Sequence, residues 1–550
     1  MELDTDVLII GAGMSGLAFA VQLIHQYGYR NFEIVEKAEH IGGTWFVNSY
    51  PGCGVDVAAH YYSYSFSSNP NWSRKYPLQP EILDYFQSVA NKYKIEKHTR
   101  FYSIVKSAYW DQSLGTWLVT VEDLKSSEIY QRRCKILVSA VGILSVPNKC
   151  EIKGVERFQG RLFHTAEWDH SFDWKDKELV VIGNGCSASQ VVPALSEGYT
   201  AAKKVTQFAR QAQWVFERPN PEYSNFFKWV MKWIPLSMRV YRAVQNYYAE
   251  LDFLSFRTLS GAGIREMYAN TQGAYIRRTA PEKYHEFLIP KTEVGCKRRV
   301  MDSGYLECLN RDNVELIYKD PIDEIVENGV LTKSGRIVKA DAIVLANGFQ
   351  VQKPLLALNL FGEGGVSVAE HWDKFSEGTA SAYFGTCLSQ FPNFFIMMGP
   401  NTASGHGCVT YTTECQVNFT LRVIKPVLNA LKAQRSILPV LGKKADIVKV
   451  KPKAEQEDID KVQDSAKELV WSSGCTSWAL DMRTNRNTTM YPDFQYKYWL
   501  RSIFIPWKDF EFSKSSQFSD SSTVKFIGTG SWIAVSVGIV AAVATFWRQI

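Results

Sequence analysis

An unbroken apolar run, Val-Leu-Ile-Ile at 7–10, ends on Gly11-Ala-Gly13-Met-Ser-Gly16. A helix-spaced stretch to about residue 27 follows, then Phe32-Glu-Ile-Val-Glu36. A continuous apolar run bounded by glycine reads as a strand buried on both faces, and the 3.6-residue rhythm after it as a helix packed on that strand. The same order of elements returns once, as Leu-Val-Val-Ile at 179–182, Gly183-Asn-Gly185-Cys-Ser187-Ala188, a helix to about 195, and a strand over 204–210 that ends in Arg210. Between the two units, residues 101–141 alternate apolar and polar positions, as in Trp117-Leu-Val-Thr-Val121, which predicts a small antiparallel sheet. From 214 to 290 the rhythm changes to aromatic-rich helices, for example Asn225-Phe-Phe-Lys-Trp-Val-Met-Lys-Trp233. Short strands follow at 314–317, 322–326 and 335–338, with a further strand ending at Asn347-Gly348 and a helix at about 412–432.

The two glycine turns carry the first chemistry. Glycines at 11, 13, 16, 183 and 185 allow backbone to approach a pyrophosphate, and each helix N-terminus offers N–H donors to its charge. Glu36 lies about 20 residues beyond Gly16, where a carboxylate accepts hydrogen bonds from a ribose diol and repels a 2′-phosphate. Arg210 occupies the corresponding strand end of the second unit, and a guanidinium there can grip a 2′-phosphate. Glu36 admits FAD or NAD rather than NADP; set against the basic end of the second unit, the expected fold is α/β, with two Rossmann-like dinucleotide-binding domains, the first for FAD and the second for NADP(H). The expected boundaries are 1–146 and 348–510 for the two parts of the FAD domain and 147–347 for the NADP domain, with a helical insertion at about 214–290.

Composition narrows the class. Hydrophobic residues make up 46% of the 550 and charged residues 21%, so the chain is globular and long enough for two or three domains. A net charge of +6 without a long basic run gives no support for a nucleic-acid partner. The ten cysteines form no Cys-x-x-Cys pair and no zinc-type cluster, which predicts free thiols and no metal site. Residues 526–547 are largely apolar and uncharged, between Lys525 and Arg548. As a helix they would span about 33 Å, enough to cross a bilayer. A transmembrane tail anchor is expected there after a linker at 511–525, with the catalytic body facing the cytosol, on the endoplasmic reticulum. The alternative is a buried or amphipathic terminal helix.

Between the two glycine loops runs Phe158-Gln-Gly160-Arg-Leu-Phe-His164-Thr-Ala-Glu-Trp168-Asp169. This Phe-x-Gly-x3-His-x3-Trp-Asp pattern resembles the fingerprint of Baeyer–Villiger monooxygenases, class B flavoenzymes that insert one oxygen atom of O2 beside a ketone carbonyl. The resemblance covers about residues 5–505. It implies that the backbone of Gly43-Thr44-Trp45 lies along the flavin, and that Asp56, in Tyr50-Pro-Gly-Cys-Gly-Val-Asp56, sits by the flavin as a cofactor-binding residue and orients an active-site arginine. Many relatives carry Arg where this chain has Gly54. In the run Lys297-Arg298-Arg299 the resemblance makes Arg298 the catalytic guanidinium and Lys297 a grip on the NADP phosphate, with Arg299 a competing register. It also places 471–478 and 488–491 around the pocket, and leaves His406 between an active-site role and an ordinary loop histidine. The implied reaction uses FAD, NADPH and O2 to turn a ketone into an ester or lactone. A hydrophobic specialised metabolite is the expected substrate.

The rival readings are an N- or S-oxygenating flavin monooxygenase, an NADPH oxidase, and a membrane-tethered nucleotide-binding scaffold. Trp168, Asp169 and Arg298 argue against the first. Ketone-independent hydrogen peroxide release would mark the second, and FAD binding without turnover the third.

Overall fold

A computed structural model of the chain describes residues 2–352 and 355–513. Two parallel-centred sheets organise it. In the first, Thr5–Ile10 is central and wholly buried, with Val7 paired in parallel to Phe32 on one side and to Ile136 on the other. Strand Ile129–Ser139 serves two neighbourhoods. Its first half closes an antiparallel meander with Thr116–Asp123 and Ser103–Asp111; its last residues lie between Thr5–Ile10 and Phe394–Ile396, both parallel. Its burial follows that division, part-exposed at residues 129–132 and fully buried from 133 onward. Helix Met14–Tyr27 covers the central strand and packs against the 27-residue helix Val409–Arg435, where Ser15 and Thr413 hydroxyls meet at 3.4 Å.

The second sheet has five parallel strands in the order Val314–Ile317, Lys204–Phe208, Glu178–Ile182, Ala342–Leu345 and Arg161–His164. The strand expected over 204–210 stops at Phe208, so Arg210 stands on the turn beyond it. A three-stranded antiparallel unit, Ile322–Val326, Gly329–Thr332 and Ile337–Lys339, sits beside this sheet. The insertion after residue 214 is helical, with Asn225–Trp233, Ser237–Asp252 and Ala262–Thr279 as its main elements.

The chain passes between the sheets twice, and both passages run side by side. Asn148 donates its backbone N–H to the Gly348 carbonyl at 3.0 Å and its side-chain amide to the Asn347 carbonyl at 3.1 Å, and Pro147 bridges Phe349.

Two expectations are corrected. Cys296 is joined to Cys475 by a disulfide, so the cysteines are not all free thiols. Residue spacing could not reveal a pair separated by 179 positions and brought together only by the fold. The expected linker at 511–525 begins too early: Phe510–Ser513 is a strand, antiparallel to Ile447–Val450. The rest of that linker and the apolar stretch at 526–547 lie outside the described residues. Among the described residues no helix is long and apolar enough to cross a membrane.

Glu250, near the end of helix Ser237–Asp252, ties the insertion to helix Gln495–Ile503. It accepts backbone N–H bonds from Gln495 at 3.1 Å and Tyr496 at 3.0 Å. Burial nevertheless pushes its carboxyl up to about 7, with Asp493 adding to the shift. The folded value is above the unfolded one of about 4.3, so the stabilising preference for the neutral acid is complete below that pH and lost as pH rises through 7. Measured against Glu250→Gln, the native protein is expected to lose melting temperature between pH 5 and 8. Parallel melting curves for the two proteins across that range would contradict this.

Candidate active site

Both glycine turns are built the same way. Gly11 has φ 103° and Gly183 φ 128°, and a Cβ on either would lie 2.6 or 2.3 Å from the carbonyl of Ala140 or Ala346 at the end of the neighbouring strand. Only glycine fits where the turn crosses that strand end. In the first unit Gly13 lies against Gly43, a Cβ on Gly43 falling 2.6 Å from the Gly13 Cα, so two backbones form a floor without side chains. Such a floor suits a flat, phosphate-bearing cofactor. Gly16 packs equally closely, a Cβ there falling 1.9 Å from the Gly11 carbonyl oxygen. Glu36, buried at the strand end, accepts N–H bonds from Ala12 at 2.6 Å and Ala38 at 2.8 Å. Its carboxylate therefore faces the glycine loop, with lone pairs left for ribose hydroxyls.

Thr44 opens a short helix, Thr44–Val47, capped by Gly43. Trp45 is buried there, its indole N–H donating to the Tyr62 hydroxyl at 3.0 Å. The following Tyr50-Pro-Gly segment is held from the other sheet's helix, Cys186–Leu195: Gln190 accepts from the Tyr50 hydroxyl at 2.7 Å and donates to the Gly54 carbonyl at 3.0 Å. Ser187, on the first turn of that helix, also faces the Tyr50 hydroxyl.

Asp56 and Arg298 form an ion pair, with the guanidinium donating to the carboxylate. Arg298 also faces the Cys186 thiol in the second glycine loop. The pair thus links the Tyr-Pro-Gly segment, the second loop and the Lys-Arg-Arg segment at one point. Burial alone would raise the Asp56 carboxyl, but the charges and hydrogen bond of Arg298, with Arg218 nearby, hold it below the usual carboxylate range. Asp56 in turn pushes the Arg298 guanidinium above its ordinary value. The arginine's side chain keeps 43% of its surface accessible, so N–H donors remain available outside the pair.

The three basic residues point three ways. Lys297 donates to the Gln211 side chain at 2.6 Å, and the Gln211 carbonyl accepts from Asn184 of the glycine loop at 2.6 Å. Arg210, next to Gln211, is exposed and has no protein partner among the described residues. The space before Gly185 is open: an added Cβ there would meet nothing within 4 Å. Arg210 adjoins Gln211 in sequence and Lys297 contacts its side chain, while the Gln211 carbonyl is bonded to Asn184 of this loop, a basic setting that fits a phosphorylated nucleotide. Arg299 turns away. It grips Asp252 through one nitrogen at 2.9 and 2.7 Å, donates to Ser255 at 2.7 Å, and stacks on Phe216, Phe256 and Tyr268. That bonding removes the alternative register.

The fingerprint residues lie at the joint. Gly160 allows the chain to pass close to the Asp341 carbonyl and leads into the edge strand Arg161–His164. Phe158 packs with Val155, Ile325 and Val338. His164 is buried, bonded to the Gly348 carbonyl at 3.1 Å and to the Ala166 N–H at 3.0 Å, and burial lowers its pKa. It therefore binds the second passage between the sheets. Trp168 packs edge-on to Phe163 and Trp174. Asp169 caps Ser171 and pairs with Arg161 at 3.6 Å. None of these five contacts the Asp56–Arg298 pair. His406 is a loop residue, packed on Phe253 and bonded to Ser404, and burial holds it down to about 4.

Arg218, Gln190 and Cys186 were not singled out from the sequence. Arg218 donates to the Val55 carbonyl at 2.9 Å beside Asp56. Of the three, only Cys186, inside the glycine loop, carried a positional signal.

A flavin-binding monooxygenase-like family model matches residues 4–463. A Baeyer-Villiger monooxygenase of Pseudomonas aeruginosa is 32% identical over 500 residues, covering 90% of this chain and 88% of its own. The FAD-binding monooxygenase ktnD of Aspergillus niger is 32% identical over 514 residues, covering 92% and 81%. The crystal structure of OTEMO in complex with FAD and NADP superposes with a TM-score of 0.79 at 25% identity, over 93% of this chain and 100% of that one. With the ion pair and both cradles in place, these likenesses establish that the chain belongs to the flavin-binding monooxygenases, and among them to the Baeyer–Villiger type.

Proposed function

We propose that the protein is an FAD- and NADPH-dependent Baeyer–Villiger monooxygenase that converts a hydrophobic ketone into an ester or lactone. The observation that carries this reading is the Asp56–Arg298 pair, which joins elements of both nucleotide units beside the second glycine loop. When bound, the two cofactors supply hydride transfer and oxygen activation. The first cradle, with Gly11, Gly13, Gly16, Glu36 and the Gly43-Thr44-Trp45 segment, holds FAD. The second, with Gly183, Gly185, Ser187, Arg210 and Lys297, holds NADPH.

Arg298 is the catalytic residue. Asp56 occupies part of its guanidinium and fixes its direction; the remaining N–H donors stabilise negative charge that develops on oxygen as the ketone carbonyl is attacked. Asp56, held ionised, carries no proton to donate at neutral pH and acts as an orienter. Arg299, anchored on Asp252, keeps the segment from turning over. Gln190 holds the two units together at the Tyr-Pro-Gly segment. A panel of aliphatic, cyclic and polycyclic ketones, scored by product mass gain with hydrogen peroxide counted separately, tests the reading. Esters or lactones from some panel members are expected. Peroxide at an unchanged rate with every ketone would leave an NADPH oxidase instead.

The apolar, uncharged stretch at 526–547 further supports a C-terminal membrane anchor with the body on the cytosolic side, on the endoplasmic reticulum. Extraction of full-length protein from membranes by alkaline carbonate alone would refute the anchor.

A further inference from the structure

The insertion carries its apolar side outward. In helix Asn225–Trp233, Phe226, Trp229 and Trp233 recur at helical spacing and are exposed, Phe226 by 74% and Trp233 by 62%. In helix Ser237–Asp252, Val240, Val244 and Tyr247 repeat the arrangement, Tyr247 by 61%. A surface helix of a globular protein ordinarily shows the reverse pattern. The inner side of the same hairpin is firmly seated. Arg242 donates to the carbonyls of His60 and Ser63, Asn246 accepts from the Tyr61 hydroxyl at 2.7 Å, and the His60 ring meets Tyr223, Phe227 and Tyr241 edge-on. The outer rows are therefore a fixed surface of the folded protein.

Charge says what that surface meets. Residues 224–249 contain no Asp or Glu, while Lys228, Lys232, Arg239 and Arg242 all fall within them; the hairpin's two acids, Glu250 and Asp252, lie at its end, bonded to the Gln495 and Tyr496 N–H groups and to Arg299. Arg242 is buried; Lys232 and Arg239 are exposed beside the aromatic rows, and Lys232 lies 5.1 Å from the Trp233 ring centre. Trp and Tyr bodies with basic rims are the composition of helices that lie in a bilayer interface, where aromatic rings sit at headgroup depth and cations meet lipid phosphates. We propose that the helical hairpin at 225–252 docks the catalytic body flat on an anionic lipid surface. This contact is separate from the tail and independent of the chemistry assigned to the active site.

Hydrogen–deuterium exchange on the full-length chain tests this region by region, with vesicles of phosphatidylcholine alone and with phosphatidylserine added. Peptides from 225–252 are expected to exchange several-fold more slowly on the serine-containing vesicles, and high salt to reverse part of that protection. The double substitution Trp229→Ser/Trp233→Ser is expected to abolish the protection there while NADPH turnover in detergent stays unchanged. Unchanged exchange at 225–252 in vesicle-bound protein overturns the proposal, as does failure to bind serine-containing vesicles. Protection that grows with protein concentration in the absence of lipid would overturn it in favour of a second copy of the chain.

Discussion

Replacing Arg298 with alanine is expected to leave NADPH able to bleach the flavin while ketone oxygenation falls about 10²–10³-fold, the usual cost of removing one aligned donor from a developing oxyanion. The guanidinium is pinned by Asp56 and faces Cys186, and its accessible N–H donors are positioned before reaction begins. Reduction needs no such donor, so electrons should continue to flow and appear as hydrogen peroxide. Arg298→Lys retains the charge but loses the planar fork that serves Asp56 and substrate together, so it should recover little. Product mass and peroxide measured on the same sample check the expectation, and ester formation at the native rate in Arg298→Ala would remove the catalytic assignment. The pair itself is insensitive to pH near neutrality. The Asp56 carboxyl is depressed in the folded state, so its contribution is present above the unfolded value of about 3.9 and lost only as pH falls through the lower folded one.

Arg210→Ala is expected to raise KM for NADPH by about 10–100-fold while leaving KM for NADH within error, since charge-assisted hydrogen bonds contribute about 1.5–3 kcal/mol. The reasoning is positional. Arg210 stands exposed beyond strand Lys204–Phe208, the parallel neighbour of the strand that runs into the nucleotide loop, and next to Gln211, whose side chain Lys297 contacts. A 2′-phosphate is the feature NADH lacks. Equal rises for both cofactors, read from initial rates, would mean that the residue supports the loop rather than the phosphate.

The local chemistry of the cradles was legible because strand, glycine turn, helix and acidic or basic strand end are all close together in sequence. Glu36 directly follows its strand, and Arg210 stands on the turn just past the end of its own. The roles of Lys297 and Arg298 came from the family pattern, and the geometry that separates them from Arg299 became visible only with the partner Asp252 on a distant helix. Arg218, Gln190 and the Cys296–Cys475 bond escaped notice for the same cause: each acts on a partner far along the chain. The fingerprint was legible as a pattern and as a joint between units; what the structure adds is the bond by which His164 ties in the return passage. Helical periodicity at 225–252 gave the elements but not their orientation, because spacing shows that a helix has two sides and not which one faces water.

Strand Ile129–Ser139 pairs with Phe394–Ile396, and the whole second sheet is encoded between them. During synthesis the last residues of that strand, Leu137 to Ser139, therefore lack one neighbour until the ribosome has made everything up to residue 396. The nucleotide unit between can close from its own strands meanwhile. Chain closure of this kind is slow and leaves an open edge available to wrong partners, so the FAD-bearing half should mature last and depend most on chaperones.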